Sequence, residues 1–176
     1  MIYRLYTPED FDRLYGLEEV CFEPPFRFSR RTMRAIVQRP HGATWIAEEN
    51  GQMAGFAIVE WAKRKTDVTA YIQTIEVAPE ARRRGVGREL LSRIEESVRE
   101  AGGHSIWLHV EAENAGAIRL YEAQGYRCEG RKENFYPMGR AGLVYMKRLD
   151  LASASSPLAA ARLDVETENR VRGACQ

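Results

Sequence analysis

The chain has 176 residues, and its 26 lysines and arginines nearly balance 25 aspartates and glutamates, for a formal net charge of +1. That length suits one domain with its own core; the neutral balance argues against a generally basic nucleic-acid binder, and 44% apolar with 29% charged residues is an ordinary globular composition. No apolar run approaches the roughly 20 residues that cross a bilayer, the N-terminus lacks an apolar secretory core, and scattered cysteines (Cys21, Cys128, Cys175) and histidines (His41, His104, His109) predict a cytoplasmic protein with reduced thiols and no metal.

Residues 2–6 alternate polar and apolar and predict an edge strand. Thr7-Pro8-Glu9-Asp10 reads as a helix start, with Thr7 as N-cap, Pro8 in the first helical position and Asp10 where a capping-box acid stands. Phe11, Leu14, Tyr15 or Leu17, Glu18 and Cys21 follow at near-helical spacing, and Glu23-Pro24-Pro25 ends the helix. Ser29 caps a second helix running to about Gln38, stopped by Pro40. Strands 43–49 and 53–63 flank Asn50-Gly51, a pair suited to a type I′ hairpin turn. A strand at 69–77 closes at Ala78-Pro79. The clearest helix spans 85–101, with Val86, Leu90, Leu91, Ile94 and Val98 on one face and Gly102-Gly103 at its end. Residues 105–110 form a strand, 115–124 a helix ended by Gly125, and 126–135 with 141–149 a final strand pair around Pro137 and Gly139. The order β-α-α-β-β-β-α-β-α-β-β predicts an α/β (α+β) domain over 1–150. Residues 151–176 carry few large apolar side chains and read as a tail, flexible or with a short helix.

The most informative segment is the turn from strand 69–77 into helix 85–101, Val77-Ala78-Pro79-Glu80-Ala81-Arg82-Arg83-Arg84-Gly85-Val86-Gly87-Arg88. A helix N-terminus offers unpaired N–H groups and a positive dipole end. Gly85 and Gly87 allow close backbone approach, and Arg82, Arg83, Arg84 and Arg88 add charge, so the segment reads as a pyrophosphate cradle. It has neither the GxxxxGK[ST] of a P-loop nor the third glycine of a dinucleotide fold.

Arg82-x-x-Gly85-x-Gly87 after such a strand resembles the acetyl-CoA loop of the GNAT family of N-acetyltransferases. Residues 108–126, from Leu108-His109-Val110 through Asn114, Ala117-Ile118 and Leu120-Tyr121 to Gly125-Tyr126, are similar to that family's LxVxxxNxxAIxLYxxxGF segment. Over residues 1–149 the element order resembles the ribosomal-protein and protein N-terminal acetyltransferases most. The resemblance implies a mixed, mostly antiparallel seven-stranded sheet, splayed between its fourth and fifth strands, with about four helices on its faces. It implies acetyl-CoA as cosubstrate, held by the backbone of Ile75, Glu76 and Val77, by Arg82 to Arg88 including Val86, and by Asn114, Ala117 and Tyr121.

Acetyl transfer to an amine needs an amine without its extra proton, a polarised thioester, a protonated leaving sulfur and aligned substrates. By resemblance Tyr121 serves the sulfur. The position of His109 is commonly glutamate in the bacterial ribosomal-protein enzymes. It is histidine in a group of eukaryotic N-terminal acetyltransferases, where it works with a tyrosine that falls at Tyr71. His109 and Tyr71 are therefore the candidate base pair, with Glu111 and Glu76 as substitutes. Phe22 and Phe26, and Phe135 and Tyr136 in a hairpin similar to the family's double-aromatic one, are the candidate acceptor-binding residues. The implied acceptor is a protein or peptide N-terminus, with ribosomal proteins among the candidates, used by a monomer or weak dimer. A small amine, a lysine side chain or an aminoglycoside, and a non-catalytic CoA-binding module, are the alternatives. Membrane and direct nucleic-acid partners are not expected, since the arginine run has no interleaved aromatics.

Overall fold

The computed structural model describes residues 1–64 and 67–149; the expected tail lies outside the described residues. Strand β1 (Ile2–Leu5) takes an edge position beside β2 (Gly42–Glu49), as its short alternating pattern predicts. The expected helix start at Thr7 is a 3-10 turn, Pro8–Asp10, in which the Thr7 N–H donates to Asp10 Oδ2 at 2.9 Å. It leads into α1 (Phe11–Cys21). Ser29 Oγ accepts from the Thr32 N–H at 3.1 Å and starts α2 (Arg30–Val37). Asn50 and Gly51 take φ of 52° and 76°, the sign a type I′ turn requires, and join β2 to β3 (Gln52–Arg64). β4 (Asp67–Val77) follows, then α3 (Val86–Glu100), β5 (Ser105–Glu111), α4 (Ala115–Ala123), β6 (Arg127–Lys132) and β7 (Gly142–Arg148).

The seven strands lie in the order β1-β2-β3-β4-β5-β7-β6, and every neighbouring pair is antiparallel except β4 and β5. The expected strand over 126–135 is shorter, because Asn134 takes a φ of 54° and turns the chain. The apolar stripe of α3 (Val86, Leu90, Leu91, Ile94, Val98) is fully buried on one sheet face, and α1 packs on the other side of β3 and β4. Leu14, Met33, Phe56 and Ile58 fill the α1 side.

Two backbone irregularities shape the centre of the sheet. First, β4 and β5 pair only from Thr69↔Ser105 to Tyr71↔Trp107, although β4 runs on to Val77 and β5 to Glu111. The strands therefore part just beyond Tyr71, and the expected splay is present. Second, the β3–β4 register shifts, with Ile58 opposite Thr74 but Val59 opposite Ile72, so Gln73 is an extra residue in a β-bulge. Directly opposed residues share a sheet face. Phe56↔Glu76, Ile58↔Thr74 and Glu60↔Tyr71 thus put Glu76, Thr74 and Tyr71 on one face. Strict alternation would have sent Tyr71 to the other. Through Tyr71↔Trp107, His109 and Glu111 of β5 join the same face, the one α1 covers.

Candidate active site

Tyr71 and His109 meet where β4 and β5 diverge, with the tyrosine hydroxyl 2.8 Å from His109 Nδ1. The imidazole lies flat against Phe135, centroids 4.1 Å apart and planes 8° from parallel, and Tyr136 meets Phe135 edge-on. Gly142 makes this stack possible. It stands opposite Glu111 in the β5–β7 ladder, two positions along from the Val144 that opposes His109, and a Cβ there would stand 2.8 Å from Phe135 Cδ1. Burial pushes the His109 value down to about 4, and Lys132, whose ammonium sits 5.4 Å from the Phe135 ring centre, lowers it further. Burial pushes the Tyr71 hydroxyl far up, helped by the neighbouring Tyr136 and Tyr121, so it keeps its proton. Among the described residues, the buried His109 Nε2 has no hydrogen-bonding partner.

Tyr121 enters from the opposite face. It is buried on α4, packed against Tyr126 and Tyr145, and burial holds its hydroxyl protonated. Asn114 caps α4 through Oδ1, which accepts from the Ala117 N–H at 3.0 Å.

The N-terminus of α3 fits a pyrophosphate. Gly85 takes a φ of 84°, Arg83 a φ of 59°, and a side chain at Gly85 would project into open space. The first intrahelical bond runs from the Glu89 N–H to Gly85 O, so the N–H groups of Val86, Gly87 and Arg88 have no helical acceptor. Of the four arginines, Arg82 turns back and donates to Val77 O at 3.0 Å, and Arg84 pairs with Glu49 at 2.7 Å. Arg83 and Arg88 stay exposed at the turn. Upstream, the Ala78 N–H bonds Ala54 O of the neighbouring chain segment. Since N–H groups alternate sides along a strand, Val77 and Ile75 direct theirs away from β3, toward the side β5 has left.

The two acceptor-loop candidates touch. The Arg140 guanidinium lies 4.9 Å over the Phe26 ring and donates to Glu111 Oε1 at 2.6 Å. Phe22 instead ends α1, its N–H bonding Glu18 O, with its ring half-buried. Sequence reasoning missed Lys132 and Arg140, which look like ordinary surface charges. It also left unused Glu18, an acid standing in an apolar helical stripe, which is buried beside Glu76.

Residues 9–126 match the acetyltransferase (GNAT) family. The chain belongs to that family. It is 36% identical over 100 residues to the ribosomal protein bS18-alanine N-acetyltransferase of Escherichia coli (strain K12), a stretch covering 56% of this chain and 65% of that relative. The N-alpha-acetyltransferase RimI of Mycobacterium tuberculosis (strain ATCC 25618 / H37Rv) is 28% identical over 147 residues, 81% of this chain and 88% of that one. The crystal structure of the Escherichia coli S18-alanine enzyme superposes with a TM-score of 0.74 at 26% identity, over 90% of this chain and 99% of that one. Arabidopsis thaliana NAA60 in complex with acetyl-CoA shares the fold, with a TM-score of 0.73 at 21% identity over 84% and 98% of the two chains. The GNAT fold of this chain thus has neighbours that bind acetyl-CoA, and the arrangement at α3 is compatible with that ligand.

Proposed function

We propose that this GNAT protein transfers acetyl from acetyl-CoA to the α-amine of a protein N-terminus, by direct attack with both substrates bound. The observation that carries this reading is the Tyr71–His109 hydrogen bond at the strand divergence, roofed by Phe135. Its relatives named for bS18-alanine and N-alpha acetylation support the acceptor class.

The backbone N–H groups of Val86, Gly87 and Arg88 would hold the pyrophosphate, and the Val77 N–H would donate to the thioester oxygen. Neutral His109 takes the proton that the amine nitrogen loses as its bond to the carbonyl carbon forms. This requires the tautomer in which Nδ1–H donates to the Tyr71 oxygen, because only then does Nε2 keep a free lone pair. Tyr71 in turn can donate its own proton to a relaying water. As the carbon–sulfur bond breaks, Tyr121 gives its proton to sulfur. The proton gained at His109 balances the one lost at Tyr121, and returning it resets the site.

The weak basicity of His109 also bears on the acceptor. An α-amine has a value near 8 and a lysine side chain one near 10.4, so a base at about 4 is mismatched to lysine by about two more powers of ten. A thiol-release assay decides the matter, using peptides with free N-termini, an N-terminally blocked lysine peptide, spermidine and an aminoglycoside. Free N-terminal peptides are expected to turn over fastest. Rates on them no higher than on the other amines would overturn the acceptor assignment.

A further inference from the structure

Glu18 of α1 and Glu76 of β4 are both completely buried, on the sheet face that carries Tyr71 and His109. Their carboxyls lie within hydrogen-bonding reach of each other. Each uses one oxygen elsewhere. Glu18 Oε1 accepts from the Phe28 N–H at 2.6 Å, and Glu76 Oε1 accepts from the Thr74 hydroxyl at 3.0 Å. Among the described residues, the remaining oxygen of each, Oε2, is buried with no hydrogen-bond donor. Two carboxylates cannot ionise together in a buried site, so one proton between them satisfies both oxygens. The mechanism above uses neither carboxyl.

The pair joins two substrate-binding parts of the protein. Phe28 ends the segment that carries Phe22 and Phe26, and it is pinned twice from α1, by Glu18 at its N–H and by Tyr15, whose hydroxyl donates to Phe28 O at 3.2 Å. Glu76 sits between Ile75 and Val77, whose N–H groups face the cleft. We propose that Glu18 and Glu76 share one proton and so act as positioning residues, tying the acceptor-binding segment 22–28 to the cofactor-binding end of β4. This deepens the acceptor assignment above and rests on it. Burial raises both carboxyls, and the proximity of Glu18 raises Glu76 further. Among the described residues, the other groups facing the pair are Cys21 of α1 toward Glu76 and Arg27 of the following segment toward Glu18, while β3 places the apolar Phe56 opposite Glu76. Arg82 reaches Cys21 at 3.8 Å.

Three variants test this. In E18Q the amide nitrogen can donate to Glu76 and the amide oxygen can accept from the Phe28 N–H, so the tie survives without a titrating proton. In E18A the tie is lost. C21S controls for titration of the thiol. Wild type is expected to show the infrared carbonyl band of a protonated carboxylic acid at pH 7 and E18Q to lack it. At pH 7, E18Q should keep the peptide KM within two-fold, and E18A should raise it at least ten-fold with the acetyl-CoA KM within two-fold. As pH rises, the peptide KM of wild type and C21S should climb where that of E18Q stays flat. Absence of the band, equal rises of both KM values in E18A, or parallel pH profiles in wild type and E18Q would each overturn the proposal. If no peptide is acetylated, the acceptor assignment fails, and the band with its loss in E18Q still decides the shared proton. Should E18A not fold, the E18Q comparison stands alone.

Discussion

Replacing Phe135 with alanine should restore much of the ordinary basicity of His109. The ring covers one whole face of the imidazole at 4.1 Å, and burial is the larger of the two causes that hold His109 at about 4. The same ring sits beside the Lys132 ammonium, so its loss frees the lysine to move into water and relaxes the second cause with the first. The shift is bounded by the ordinary value of about 6.5. At pH 6 a group at about 4 is about 99% neutral, and one at 6.5 is about a quarter neutral. If His109 must be neutral to accept the amine proton, kcat/KM at pH 6 relative to its high-pH plateau should fall up to about four-fold in F135A. The assay pairs an NMR titration of the His109 ring with the pH profile of kcat/KM. F135L, which keeps the ring covered without the aromatic stack, should titrate close to wild type. Gly142→Ala, whose Cβ collides with Phe135, should move the value in the same direction as F135A. A His109 titration unchanged in F135A would refute the claim that this stack desolvates the base. A shifted titration with an unshifted rate profile would remove His109 from the proton path.

Tyr121→Phe keeps the buried ring and loses only the hydroxyl, so kcat should drop about 10²-fold or more with the acetyl-CoA KM within two-fold, measured by thiol release. Gly85→Ala forces a side chain into a φ of 84°, so equilibrium denaturation should show a loss of about 1 kcal/mol, and the acetyl-CoA KM should rise. His109 binds fewer protons folded than unfolded between about pH 4 and about 6.5. Stability should therefore fall as pH drops through that window, by about 1–2 kcal/mol after allowing for partial solvent exposure. His109→Gln should flatten that part of the urea-midpoint profile against pH, and an equally steep profile in the variant would place the acid sensitivity elsewhere.

Local signals in the sequence carried most of the fold. Asn50-Gly51, Ser29, Gly85 and Gly125 each mark a turn or a helix end by a backbone requirement that few residues meet, and the α3 stripe follows from helical spacing alone. The Tyr71–His109 pairing was legible only through the family resemblance, which set a tyrosine at 71 and a histidine at 109 on the two strands flanking the cleft. What was not legible depends on contacts distant in the chain. The bulge at Gln73 leaves no mark in composition, yet it decides the face on which Tyr71 lies. Lys132 and Arg140 read as solvated charges, because the aromatic partners that hold them are set by how the β6–β7 hairpin folds back. Glu18 was visible as a misfit in an apolar stripe, but its partner across 58 positions was not.

The parity of β4 and β5 would also separate the two proton transfers proposed above. His109 and Tyr71 stand on the face covered by α1 and the Phe135 hairpin, and Tyr121 stands on the face with Tyr145, across the β5–β7 ladder from them. The two groups reach one another's side only where the strands part, beyond the Tyr71↔Trp107 pair. An acceptor amine arriving over His109 would then add to the thioester carbon from one face of the sheet, while the sulfur that leaves it lies toward Tyr121 on the other, so each proton transfer has its own group within reach. Deleting Gln73 should reverse the alternation of everything before it in β4 and turn Tyr71 away from His109. That variant is expected to keep an acetyl-CoA KM near wild type, because residues 75–88 are unmoved, while kcat falls to the level of Tyr71→Phe combined with His109→Gln. Retention of wild-type kcat by such a deletion would mean that the face of Tyr71 is irrelevant to the chemistry.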